Sequence, residues 1–111
     1  MTDRPVVPER PYQAMAIALE PLRAAVAEPA PSIATVQEAL ESVQQAIAQL
    51  PPASGLEQSL QVEIHKQWRL LQADVAFLRA ARQPATLAQR QTTMLQRLDQ
   101  LASYCDSGDR L

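Results

Sequence analysis

Apolar residues recur along most of the chain at helical intervals. Tyr12, Met15, Leu19, Leu22 and Val26 are spaced 3, 4, 3 and 4 residues apart, which puts them on one face of a helix. The stripe stays in phase across Pro21, so one helix over about 11–27 is expected, kinked where Pro21 removes a backbone donor. After the loop EPAPS, Ile33, Val36, Leu40, Val43, Ile47 and Leu50 form the most regular stripe, predicting a second helix over about 31–50 with Pro31 in its first turn. PPASG breaks it. Ser54 and Glu57 then make an S-x-x-E capping box ahead of Leu56, Leu60, Ile64, Trp68, Leu71, Val75 and Leu78, a third stripe that ends before Pro84. Leu87, Gln91, Met94, Leu98, Leu101 and Cys105 define a fourth helix over about 85–106, with Gly108 just past its end.

Four amphipathic helices joined by short connections predict an all-α fold, an up-down-up-down four-helix bundle with long third and fourth helices. Residues 1–111 are expected to form one helical domain with flexible ends at 1–10 and 107–111. Composition points the same way: Gly and Tyr occur twice each and Phe once, leaving little from which to build strands. With one cysteine no intramolecular disulfide can form, and one histidine leaves no soft-ligand pair for zinc. The start MTDRPVVPERP lacks a basic run followed by an apolar one, and no stretch approaches membrane-helix length. A soluble cytoplasmic protein without a membrane role is the expectation.

Charge is unevenly placed. Residues 1–63 hold eight acids and three bases, a net of −5, whereas residues 64–98 hold six bases and the single acid Asp74, a net of +5. Either the acidic half neutralises the basic half inside the fold, or the basic segment faces an acidic partner.

Catalytic candidates are few. Cys105 has no histidine near it in sequence, and its stripe position points inward, where a thiol acts as a small hydrophobe. His65 neighbours Lys66 on a partly exposed site without a second ligand or base, and Glu38 with Glu41 reads as a solubilising pair on a polar face. Two isolated glycines cannot form a phosphate cradle. A non-enzymatic protein without cofactor or metal is expected. Nucleic-acid binding is disfavoured by the acidic pI and scarce aromatic groups.

The third helix is the informative element. Beside its main stripe, Leu70, Ala73, Phe77 and Ala80 make a second row at spacings of 3, 4 and 3, rotated by about 100°. Either both rows are core, or Leu70 and Phe77 stay partly exposed and dock a partner or second subunit. Asp74 has Leu70, Leu71, Phe77 and Leu78 at its i±3 and i±4 positions, so its counter-ion must come from elsewhere. If the chain reverses near Pro84, Arg97 is the best-placed base.

The runs QVEIHKQWRLLQADVAFLRAARQPATLAQRQ (61–91) and MLQRLDQLASYCD (94–106) resemble PatD, a cyanobacterial family that controls heterocyst frequency. The resemblance rests on Gln61 to Ile64, Arg69 to Gln83, Ala85 to Arg90 and Tyr104-Cys105, with looser agreement at Tyr12, Ala18-Leu19 and Leu22-Arg23. It implies a regulatory protein that associates with the division protein FtsZ and affects its assembly. Arg69, Leu70, Phe77, Arg79, Arg82 and Arg90 are the candidate partner-binding residues, chosen from charge and periodicity, and Asp74 with Arg97 the candidate structural ion pair. A self-associating structural bundle, for instance a homodimer, is the alternative, and a nucleic-acid-binding helical protein is a third.

Overall fold

The computed structural model describes residues 10–111, and among these it is all-helical. Helix α1 spans Pro11–Ala27, α2 Ile33–Ala48, α3 Gly55–Ala80 and α4 Pro84–Asp109, with no strand among the described residues. The N-terminal segment expected to be flexible lies, up to residue 9, outside the described residues.

Each helix buries its periodic face. The core joins Tyr12, Met15, Leu19, Leu22 and Val26 of α1, Val36, Val43 and Ile47 of α2, Ile64, Trp68, Leu71, Val75 and Leu78 of α3, and Met94, Leu98, Leu101 and Cys105 of α4. Pro21 sits on the exposed side of an uninterrupted α1, where the Ile17 carbonyl that it leaves without an amide partner lies on the water-facing side. The close packing lines run between α1 and α2, α1 and α4, and α3 and α4. Helices α2 and α3 approach less closely, and a groove of about 330 Å³ lies between them, lined by Gln37, Leu40, Gln72, Val75, Ala76 and Arg79.

Local chemistry shifts several predicted boundaries. Helix α2 begins at Ile33 rather than at Pro31, because the Ser32 hydroxyl caps it by accepting from the Thr35 amide at 3.3 Å. The capping box expected at α3 does not form: Ser54 makes no side-chain cap, and Glu57 instead accepts a 2.8 Å hydrogen bond from the Tyr12 hydroxyl. Gly55, at φ 62°, supplies the left-handed entry to α3 that a side chain would strain. Leu56, placed in the stripe by periodicity, is 79% exposed because it lies in the first turn, beyond the outermost core layer.

At the other terminus, residues 107–109 of the end expected to be flexible over 107–111 belong to α4. Helix continues to Asp109 because Gly108 packs flat on the Tyr12 ring and Asp109 pairs with Arg10. Tyr12 therefore gathers one end of the fold: Gln61 donates to its hydroxyl at 2.9 Å and to the Pro51 carbonyl at 2.9 Å. At the opposite end, Gln91 donates to the Val26 and Glu28 carbonyls at 2.8 and 2.6 Å, satisfying groups that the end of α1 leaves open. This explains a glutamine in an otherwise apolar stripe.

Candidate interaction face on α3 and α4

The second apolar row of α3 faces solvent. Leu70 is 38% and Phe77 51% exposed, and Ala73 and Ala80 are exposed beside them. The row sits on the flank of α3 that turns toward α4, where the Arg90 guanidinium carbon lies 4.4 Å from the Phe77 ring centroid. Leu70 and Phe77 are separated by two turns, so they project in nearly the same direction about 10 Å apart along the axis. Lys66, one turn before Leu70, and Arg69, one turn before Ala73, are both exposed and flank the row.

Helical geometry divides the six candidate partner-binding residues. Arg69, Leu70, Phe77 and Arg90 share or border one face. Arg79, two positions beyond Phe77, is turned about 160° away from it and lines the groove toward α2. Arg82 is exposed in the connection after α3 has ended. A single surface holding all six is therefore corrected to a four-residue face with Lys66 added. Lys66 was detectable from its i,i+4 spacing to Leu70. The Arg90–Phe77 stack was not, because it depends on how α3 and α4 are aligned.

Asp74 lies just inside this face. It is 3% exposed, and its Oδ2 accepts a hydrogen bond from Arg97 Nε across the α3–α4 interface. No buried side-chain polar atom among the described residues lacks a partner. The other ion pairs are Arg10 with Asp109, Arg23 with Asp99, and Arg110 with Asp106 at 3.0 Å. Among the described residues, none joins an acid of 1–63 to a base of 64–98. Close pairing between the acidic and basic halves is absent there; Lys66, Arg69, Arg79 and Arg82 are exposed, and Arg90 is half-buried over the Phe77 ring.

The remaining reactive groups are placed quietly. Cys105 is 2% exposed, and burial, with a smaller contribution from the Asp109 carboxylate, pushes its thiol up to about 11, so at neutral pH it carries its proton. His65, Glu38 and Glu41 are exposed. Among the described residues no group of three or more His, Cys, Asp or Glu side chains is arranged to hold a metal. No described helix is long and apolar enough to cross a membrane.

Fold and face together define a small all-helical domain with a basic, partly apolar flank. Its family is given by the model for the CRR41 C-terminal domain, which matches residues 14–107, nearly the full extent of the four helices, and the chain belongs to that family. The resemblance to PatD is thereby overturned: the residues that suggested it lie within the span matched by a different family. FtsZ association, heterocyst control and a cyanobacterial setting rested on that resemblance and lose their support with it. Most of its quoted run is the amphipathic pattern of α3 and α4, which any pair of packed helices of this length can share. No curated protein and no solved structure matches the chain.

Proposed function

We propose that this chain is a non-enzymatic protein-interaction module, an up-down-up-down four-helix bundle that presents the outer face of α3 and α4 to another protein. Contacts at the helix ends support the alternating topology: Tyr12 at the start of α1 meets the start of α3 and the end of α4, while Gln91 near the start of α4 reaches the end of α1. The observation that carries the interaction reading is the solvent-facing row of Leu70, Ala73, Phe77 and Ala80 on a helix whose other face is fully engaged in the core. A contiguous apolar row costs solubility unless something covers it, and arginine, here Arg90 over Phe77, is enriched among binding hot spots.

The test is site-specific photo-crosslinking in native cells from a photoreactive phenylalanine analogue at position 77, which keeps the aromatic ring, compared with exposed position 38 on α2. Protein adducts formed from 77 and abolished by Leu70→Ser support the module, and an identical adduct pattern from both positions rejects it. Self-association is separated in the same experiment, because a homodimer yields an adduct of twice the chain mass, and sedimentation at several concentrations detects it independently.

A further inference from the structure

The α3–α4 face has a chemistry specific enough to name the class of partner. Its apolar anchors, Leu70 and Phe77, lie two helical turns apart and project together, with the small Ala73 between them leaving a shallow floor. A helix laid along this flank would set residues i and i+7 against the two anchors, and residues i+3 and i+4 over the alanine. The cations bordering the row are Lys66, Arg69 and Arg90, none of them in an ion pair among the described residues. The single acid of the segment, Asp74, is already satisfied by Arg97. Glu63, three positions before Lys66, is the other acid on this side of α3, so against Lys66, Arg69 and Arg90 the charge around the anchors stays net positive. Arg90 is held over the Phe77 ring, a geometry in which a guanidinium keeps its N–H edges available for a carboxylate.

We propose that this face binds an acidic amphipathic helix of another protein, with two apolar residues two turns apart seated on Leu70 and Phe77 and carboxylates meeting Lys66, Arg69 and Arg90. The inference rests on the interaction-module reading above. A second copy of the same face is a poor occupant, because a two-fold contact would bring like cations together. A nucleic acid would use the cations but gain little from Leu70 and the alanines.

The test titrates the isotope-labelled full chain with two designed amphipathic peptides of about five helical turns. Both carry leucine at i, i+3, i+4 and i+7, and their polar positions are all Glu in one and all Lys in the other. The Glu peptide is expected to shift the amide resonances of Leu70, Ala73, Phe77 and Arg90. Phe77→Ser and Arg90→Glu should each weaken its binding about tenfold or more, equivalent to about 1.4 kcal/mol, whereas Arg79→Glu on the opposite flank should change it less than twofold. Equal binding of the Lys peptide, shifts confined to other helices, or tighter binding of a short DNA duplex at the same amides would overturn the proposal. Crosslinking from position 77 separates the two levels. If the Glu peptide fails while 77 captures a protein, the acidic-helix class is rejected and the module stands. If 77 captures nothing, the module itself is rejected, and this inference with it.

Discussion

Asp74 and Arg97 form a hydrogen-bonded ion pair between α3 and α4, with the carboxylate almost wholly buried and the guanidinium reaching solvent at the edge of the interface. Removing one member leaves the other with an uncompensated charge or an unused donor, so single and double substitutions should not add. A cycle of Asp74→Ala, Arg97→Ala and the double variant, followed by urea unfolding, is expected to show a coupling of about 1–3 kcal/mol. Arg97→Ala should be the more harmful single change, because it strands the buried carboxylate. Additive losses would show that the pair holds nothing together.

Two buried acids at one end of the fold make stability sensitive to alkali. The Cys105 thiol is raised from 9.0 to about 11 by burial and by Asp109. The Tyr12 phenol is raised above its ordinary 10.0, mainly by burial and also by Glu57, against an opposing hydrogen bond from Gln61. Between pH 9 and 11 the folded chain retains the Cys105 proton that the unfolded chain releases, so this stabilisation, complete below pH 9, is lost as pH rises through the folded value. The expected fall is about 2–3 kcal/mol over that window. Cys105→Ala should flatten the slope of stability against pH there, even though its cavity lowers stability at every pH. A wild-type curve level up to pH 11 would contradict the placement of Cys105.

How much of this was legible beforehand follows from which signals are local. The four helices and their core stripes were readable because burial of one face imposes its period on the sequence, as at Ile64, Trp68, Leu71 and Val75. Asp74 could be matched to Arg97 because the turn at Pro84 fixes the approximate register of the following helix. Helix ends were less readable, since Glu57 serves Tyr12, a residue 45 positions away, and not its own N-cap. The proposed face was half readable: periodicity isolated Leu70 and Phe77, but grouping Arg79 with them ignored that it lines the groove toward α2. The family itself was misread, because amphipathic helical runs resemble one another more than they identify a lineage.

Gly108 is held by space. A Cβ built on it would lie 2.6 Å from the Cγ and Cδ1 atoms of Tyr12, so the ring or the last turn of α4 must shift to admit a methyl group. Alanine normally favours a helix, yet Gly108→Ala should lower stability by about 1–3 kcal/mol, the usual cost of overpacking. Tyr12→Leu introduced with it should recover part of the loss. A more stable Gly108→Ala variant would mean that helix propensity outweighs the contact. Thermal unfolding of the wild type, Gly108→Ala and the double variant decides this.

Leu70 and Phe77 offer the sharpest separation of folding from function. Leu70 is 38% and Phe77 51% exposed, so truncation removes only part of the area that a core residue would lose, and Phe77 also loses its stack with Arg90, about 0.5–1 kcal/mol at an exposed site. Phe77→Ser and Leu70→Ser should each therefore change unfolding free energy by about 1–2 kcal/mol. Leu71→Ser, one position along and fully buried, should cost several kcal/mol by comparison, roughly the range of a large core truncation. If Phe77→Ser proves as damaging as Leu71→Ser, the second row belongs to the core and the docking face disappears. If Leu70→Ser stays near wild type in stability while crosslinking from position 77 is lost, the row is kept for a partner and not for the fold.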